Sequence, residues 1–232
     1  MKTDKLYIAK IKREEFLIRD EWDEKFLSYI LARIKKLKLN ITEKDRWLDI
    51  GGFIGGFIVS IGSKVDHIYS FEADKDNAEV LKANKDYHFL DNVDLYTMAV
   101  IGTNSATKSF YLNPLKNKSL HSFSIKNRRR SVVVNCLSIN NLIEKINVDK
   151  ILIDACGSEY DIINHISREN FHKIKEIGIV YYPYFYREKN NHPTYNKIVD
   201  ILKDFYNIVE YNEKALGEDY LLIHALNNKL SE

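Results

Sequence analysis

Cysteine residues and long apolar runs are scarce in this chain, and each shortage argues against a class of protein. The 232 residues include two cysteines, Cys136 and Cys156, which argues against a disulfide framework and leaves no Cys-x-x-Cys metal pattern. No apolar run reaches the ~18 residues that a membrane-spanning helix needs. Residues 1–16 mix charged with apolar side chains and lack the apolar stretch of a secretory signal. These features predict a cytoplasmic protein without a membrane span.

The chain length and the spacing of apolar residues predict one main domain with an N-terminal extension. A chain of 232 residues with 45% hydrophobic residues is long enough to bury one sizeable core. Apolar residues recur near a 3.6-residue period between Glu21 and Lys38. We therefore expect a helical extension over residues 1–40 and the main domain over residues 41–232.

Short apolar runs alternate with helical patterns through the main domain. The runs are RWLDI (46–50), HIYSFE (67–72), VDLYTMAV (93–100), KILIDA (150–155) and EIGIVYY (176–182). This alternation predicts an α/β fold with a doubly wound, mainly parallel sheet. Two late runs, NIVEYN and DYLLIHAL, should form an antiparallel hairpin at the edge of that sheet.

A glycine-rich segment, LDIGGFIGGF, follows the first of these strands and is the clearest motif. Gly51 and Gly52 permit a sharp turn there, and Gly55 permits close packing or close approach of a ligand. Glu72 ends the next strand, 23 residues after Asp49. A carboxylate at that position can accept hydrogen bonds from both ribose hydroxyls of a nucleoside cofactor.

The glycine motif alone does not separate NAD from S-adenosylmethionine. The strict G-x-G-x-x-G pattern is absent, and Asp49 lies two residues before Gly51. A carboxylate there favours the ammonium group of S-adenosylmethionine and would repel a pyrophosphate. A simple turn between strand and helix, with a solvated Glu72, would give the same sequence pattern.

Four segments between Asp49 and Glu159 resemble, in the same order, the FkbM-type methyltransferases of the class I superfamily. LDIGGFIGGF resembles that family's DVGANIG loop, and FEADKDNAEVLKAN resembles its FEPxPxNxxxLxxN segment. NVDLYTMAVIG is similar to its strand with an A-V-G turn, and ILIDACGSEYDII to its KIDVEGxExxVL hallmark. The chain departs from the family at Phe53, where Asn is usual, and at Cys156, where Glu is usual.

The resemblance implies a Rossmann-like fold, S-adenosylmethionine as the cofactor, and methyl transfer to oxygen, often a sugar hydroxyl. The residues that it assigns to the cofactor are Asp49, Gly51, Gly52, Phe53, Gly55, Glu72, Ala73 and Asp154.

Two acids are candidates for the base that such a transfer to oxygen needs. Asp154 ends its strand at the edge where ligands bind in these sheets, and Glu159 lies about one turn into the next helix. Both could instead cap that helix, since its first turn favours acids.

The Asn/Asp-Pro-Pro-aromatic loop of amino-group methyltransferases is absent at this place. Cys156 lacks the proline and the second cysteine expected around a cytosine-methylating nucleophile, so a buried filler is the simpler interpretation.

The segment from Leu95 to Ile143 contains no Asp or Glu, and it carries seven Lys or Arg residues. Such a basic stretch suits an anionic acceptor, although a solvated loop would have the same composition. Aromatic residues beside bases also follow the strand at 176–182, where they could stack on sugars or bases or simply fill the core. The predicted acceptor-binding residues are His121, Lys126, Arg128, Arg129, Arg130, Tyr184 and Tyr186.

Three functions stay open at this point. They are sugar or glycan O-methylation, ribose O-methylation of RNA, and a cofactor-binding fold that has lost activity and binds a partner. The acceptor is expected to be anionic or to contain a sugar. The histidine spacing predicts no metal cage, which leaves open only a carboxylate-bound Mg²⁺ assembled from distant residues.

Overall fold

A seven-stranded sheet lies between two layers of helices in the computed structural model, which describes residues 6–113, 121–123, 130–188, 192–211 and 220–227. The strands in these residues are β1 (Tyr7–Ile11), β2 (Glu14–Ile18), β3 (Arg46–Ile50), β4 (His67–Phe71), β5 (Val93–Tyr96), β6 (Ala99–Ile101), β7 (Thr107–Tyr111), β8 (Ser131–Ser138), β9 (Lys150–Ile153), β10 (Glu176–Tyr181), β11 (Ile208–Tyr211) and β12 (Leu221–Leu226). The α-helices are α1 (Glu21–Leu37), α2 (Gly56–Ile61), α3 (Lys75–Tyr87), α4 (Ile139–Lys145), α5 (Glu159–His165), α6 (Arg168–Lys173) and α7 (Pro193–Lys203).

The strand order of the main sheet is β11-β12-β10-β9-β3-β4-β5. Neighbours from β10 to β5 are parallel, whereas β12 runs antiparallel to both β10 and β11. From β3 the chain first adds strands on one side, and β9 then joins β3 on the other side. This reversal places a topological switch point between β3 and β9, where ligands bind in open α/β sheets.

The central strands are buried on both faces because their successive side chains point to opposite sides. Leu152 packs in a core with residues of α1, α2 and α3, whereas Ile151 and Ile153 pack in a second core with residues of α4 to α7. All three side chains are at most 3% exposed. The mainly parallel α/β sheet predicted from the alternating pattern is confirmed.

The N-terminal segment is only partly helical, which corrects the prediction of a helical extension over residues 1–40. Helix α1 begins after Asp20, whose side chain accepts hydrogen bonds from the backbone of Trp22 and Asp23. Before it, β1 and β2 form an antiparallel hairpin. These residues form strands because their buried apolar side chains recur every second residue, which is the period of a strand and not of a helix. The buried residues are Ala9 and Ile11 in β1 and Phe16 and Ile18 in β2.

The middle of the chain forms a second sheet with the order β6-β8-β7. The single strand expected over 93–100 is divided there, since β5 ends at Tyr96 in the main sheet and β6 begins at Ala99 in the small one. The hydroxyl of Ser122 donates to the carbonyl of Cys156 at 2.6 Å. This contact ties the small sheet to the loop after β9.

Candidate functional site

The loops that follow β3 and β9 touch at the switch point. Gly51 has a φ of 92°, a conformation that favours glycine, and its amide donates to the carbonyl of Phe71 at 2.9 Å. A Cβ atom on Gly51 would lie 2.1 Å from the carbonyl oxygen of Asp154. Glycine is therefore required at this position both by the backbone conformation and by the space.

The rest of the glycine loop also uses left-handed backbone conformations. Phe53 has a φ of 50° and Gly55 a φ of 100°. Asn tolerates this region better than other residues with a side chain, and this chain has Phe at the position instead. Phe53 adopts the same kind of turn and is 5% exposed, so its ring packs into the core that covers α2.

Glu72 lies at the end of β4, beside this loop. One carboxylate oxygen accepts the amide of Phe53 and the other accepts the amide of Asp74, each at 2.8 Å. The residue is 8% exposed, and burial raises the pKa of its carboxyl group to about 8. The Glu72 carboxylate thus holds the glycine loop against the start of α3 while still facing the cleft.

Asp154 follows β9 and forms a partly buried group with Tyr182 and Arg33. The Tyr182 hydroxyl donates to Oδ1 of Asp154 at 2.6 Å, and Arg33 Nη1 lies 3.7 Å from Oδ2. Burial raises the pKa of Asp154, while the charge of Arg33 and the hydrogen bond from Tyr182 act in the opposite direction. This carboxyl group is therefore oriented by two neighbours and has a higher proton affinity than an exposed aspartate.

Asp49 lies deeper, at the end of β3. Its Oδ2 accepts the hydroxyl of Ser70 at 2.7 Å, and burial raises the pKa of its carboxyl group to about 7. With Arg33, Gly52 and Asp154 it lines a small cavity that adjoins the main cleft.

Most of the predicted cofactor residues meet in one cleft at the switch point. The predicted residues that line it are Gly51, Phe53, Glu72, Ala73, His121 and Asp154. Asp49 and Gly52 line the adjoining cavity instead. Gly55 is the residue that precedes α2 and lines neither space.

Glu159 and the two predicted tyrosines lie outside the cleft lining. Glu159 is 0% exposed, and its carboxylate accepts the amide of Gly157 at 3.0 Å and the hydroxyl of Tyr186 at 2.8 Å. The ring of Tyr186 stacks on Tyr181 with 4.7 Å between centroids, so it is engaged within the protein. Tyr184 is 64% exposed.

His121 is the described member of the predicted acceptor set that reaches the cleft. Its Nδ1 accepts the backbone amide of Asn113 at 2.7 Å, so in the neutral ring the proton is on Nε2, 3.7 Å from Oδ2 of Asp74. Arg130 is exposed at the start of β8. Lys126, Arg128 and Arg129 lie outside the described residues.

Helix α1 supplies cleft residues that sequence reasoning missed. Phe26, Ile30 and Arg33 line the cleft from α1, and Tyr182 lines it from the end of β10. A signal was present, because Phe26, Ile30, Arg33 and Leu37 follow one helical stripe. A cation on an otherwise apolar stripe indicates a buried partner.

The two cysteines are buried, and they do not form a disulfide with each other. Burial raises the pKa of the Cys156 thiol, which lines the cleft in its neutral form. Within the described ranges, no three His, Cys, Asp or Glu side chains are grouped so as to hold a metal ion. No helix in those ranges has both the length and the apolar character to cross a membrane.

Two solved structures share this architecture. The methyltransferase FkbM from Methylobacillus flagellatus KT superposes with a TM-score of 0.52 at 18% identity, over 81% of this chain and 45% of that chain. The chain therefore spans less than half the length of that protein. M. jannaschii TYW2, solved in complex with AdoMet, superposes with a TM-score of 0.52 at 10% identity, over 97% of this chain and 87% of that one.

Sequence comparison adds the family. No curated protein sequence matches the chain. The model of the methyltransferase FkbM domain matches residues 49–211, which include both loops of the cleft and more than two thirds of the chain. The chain belongs to the FkbM methyltransferase family.

Proposed function

We propose that this protein is an S-adenosylmethionine-dependent methyltransferase that transfers a methyl group to a hydroxyl oxygen of a sugar. The observation that carries the proposal is that two acids, the buried Glu72 and the partly buried Asp154, line one cleft together with Gly51. Family membership supports methyl transfer, and the resemblance to FkbM-type sequences favours oxygen as the acceptor.

The residues of the cleft fit this cofactor. Each oxygen of Glu72 accepts one backbone amide and keeps a lone pair that can accept a ribose hydroxyl. Gly51 presents backbone without a side chain beside it, and the carboxylates of Asp49 and Asp154 suit the ammonium group of a methionine arm. When bound, S-adenosylmethionine supplies an electrophilic methyl carbon on a sulfonium sulfur.

Asp154 is the proposed general base. Transfer to an alcohol requires that the hydroxyl lose its proton as the new bond forms, and a positioned carboxylate can accept it. The Tyr182 hydroxyl orients Oδ1, while Oδ2 lies 3.7 Å from Nη1 of Arg33. The raised pKa of Asp154 brings its proton affinity closer to neutral pH, which is where a base is most effective. Glu159 is proposed to brace the loop before α5 rather than to contact the acceptor.

The acceptor side of the cleft is aromatic. Phe110 contacts Phe123 and His121, with ring centroids 5.0 and 6.0 Å apart, and all three line the cleft. Aromatic faces of this kind stack on sugar rings. The basic stretch around Arg130 favours an anionic sugar acceptor, such as a phosphorylated glycan, and would also suit RNA.

The test combines binding with turnover. Calorimetry should detect binding of S-adenosylhomocysteine, and tritiated S-adenosylmethionine should label methyl glycosides or nucleotide sugars. Asp154→Asn should reduce the turnover ~10²–10⁴-fold because the base is lost, while S-adenosylhomocysteine should still bind because Asp49 remains to face its ammonium group. Asp94→Asn is the control, since that side chain is 52% exposed on the edge strand β5.

Three outcomes would contradict parts of the proposal. Preferential binding of NAD would overturn the cofactor. Normal turnover by Asp154→Asn would assign the residue to orientation alone. Labelling of RNA but not of sugars would replace the acceptor class, and cofactor binding without labelling of any acceptor would favour a partner-binding module.

A further inference from the structure

Arg33 is a partly buried cation that lines both the cleft and its adjoining cavity. Its side chain is 13% exposed, and it lines both spaces. Nη1 donates to the Tyr182 hydroxyl at 2.6 Å, and the guanidinium carbon lies 4.5 Å from the centre of the Tyr220 ring. Nε is buried and has no hydrogen-bond partner in the described structure.

The ionisable side chains around Arg33 are mainly carboxyl groups. Asp49, Glu72 and Asp154 line the two spaces, and Arg33 is the one Lys or Arg among the described residues that line them. The ammonium and sulfonium groups of S-adenosylmethionine match these acids. Its carboxylate matches only the guanidinium.

We propose that Arg33 binds the α-carboxylate of the methionine arm of S-adenosylmethionine, an assignment that rests on the proposed function. Arg33 lines both spaces, and a partly buried guanidinium is stabilised by a further negative partner such as a carboxylate. A guanidinium can also form two parallel hydrogen bonds to one carboxylate, which the ammonium group of a lysine cannot do. The 3.7 Å contact with Asp154 is too long for a hydrogen bond. Arg33 can therefore bind the cofactor carboxylate while it remains near Asp154.

The matched family domain begins at Asp49, after α1 has ended. Arg33 thus lies on a segment outside the region that defines the family. Because Arg33 lines both spaces from α1, binding of the carboxylate by Arg33 would make this helix a part of the cofactor site.

Calorimetry with two ligands and three proteins tests the assignment. The ligands are S-adenosylhomocysteine and its decarboxylated analogue, and the proteins are the wild type, Arg33→Met and Lys35→Met. Wild type should bind the decarboxylated ligand roughly 10- to 100-fold more weakly, because a charged hydrogen-bonded pair is lost. Arg33→Met should bind both ligands with similar, weak affinity. Lys35→Met removes an exposed charge from the same helix and should behave as wild type.

Each alternative gives a different pattern. If wild type binds both ligands equally, Arg33 does not recognise the carboxylate and the assignment is overturned. If Arg33→Met weakens both ligands by the same factor, Arg33 only braces Asp154. The wild-type comparison needs no variant, so equal affinities for the two ligands would overturn the assignment even if Arg33→Met fails to fold. A wild type that binds neither ligand would contradict the proposed function itself.

Discussion

Binding of a nucleoside at Glu72 should depend steeply on pH. Burial raises the pKa of this carboxyl group to about 8, so the free site holds a proton at neutral pH. Ribose hydroxyls donate to the ionised carboxylate and therefore favour the form that has lost the proton. Binding must release a proton, and the affinity must rise as the pH rises towards 8.

The size of the effect follows from the ionised fraction of the free site. With a pKa of about 8, roughly half of the sites are ionised at pH 8 and roughly 1% at pH 6, so the affinity should fall roughly 50-fold between these values. The slope should approach about tenfold per pH unit, or about 1.4 kcal/mol. Above pH 8.5 the affinity should level off.

Adenosine is the appropriate ligand, since it carries the ribose without the ionisable groups of a methionine arm. Calorimetry from pH 6 to pH 9, in two buffers of different ionisation enthalpy, gives both the affinity and the number of protons released. Glu72→Gln cannot ionise and should bind weakly with no pH slope. Glu79→Gln, at a side chain that is 56% exposed on α3, should keep the wild-type slope.

Two results would refute this reasoning. A wild-type affinity that does not change with pH would mean that Glu72 is already ionised or does not contact the ribose. An unchanged slope in Glu72→Gln would move the titration to another acid, with Asp49 next in line because its pKa is about 7. Thermal melts monitored by circular dichroism show whether Glu72→Gln remains folded.

Two further changes test the loop brace and the acceptor. Glu159→Gln should lower the free energy of unfolding in urea by about 1–3 kcal/mol while keeping turnover, because one acceptor of the Gly157 and Tyr186 hydrogen bonds is lost. Burial raises the pKa of Glu159 to about 7 from 4.5, so the folded state favours the protonated form, and the free energy of unfolding of the wild type should fall as the pH rises through 7. The stability deficit of Glu159→Gln relative to the wild type should therefore be smaller at pH 8 than at pH 5. A deficit that grows with pH would contradict this expectation. Replacing Arg128, Arg129 and Arg130 by Ala should spare S-adenosylhomocysteine binding and flatten the salt dependence of binding to an anionic acceptor. Unchanged acceptor affinity at low and high salt would remove the basic stretch from the site and favour a neutral sugar.

The parts of the site that follow from the sequence are those carried by short segments. The turn after β3, the acid that ends β4 and the acid after β9 each sit within a contiguous motif, and a parallel sheet brings the ends of neighbouring strands together. The sequence alone therefore predicts that Gly51, Glu72 and Asp154 lie at the same edge of the sheet. The two apolar periods also separate the strands of the main sheet from its helices.

The parts that escaped prediction depend on contacts between distant segments. Arg33 and Asp154 are separated by more than a hundred residues, and the stripe of α1 that indicates a buried partner for Arg33 does not identify that partner as the residue after β9. The hairpin β1–β2 was interpreted as helix because its strands are five residues each and rich in charge, which obscures the two-residue period. Glu159 was a candidate base because sequence spacing does not show that the Gly157 amide and the Tyr186 hydroxyl already occupy its oxygens.

The two left-handed glycines of the β3–α2 loop differ in the substitutions they would tolerate in a library of variants. At Gly55 an added Cβ would have its nearest neighbour 3.4 Å away, so the barrier is the backbone angle alone, and Asn is a reasonable replacement. At Gly51 the added atom would collide with the carbonyl of Asp154. Any side chain there would displace the proposed base together with the cofactor loop. Saturation mutagenesis across this loop should therefore yield some survivors at Gly55 and none at Gly51, and a selection for altered cofactor use would have to leave Gly51 unchanged.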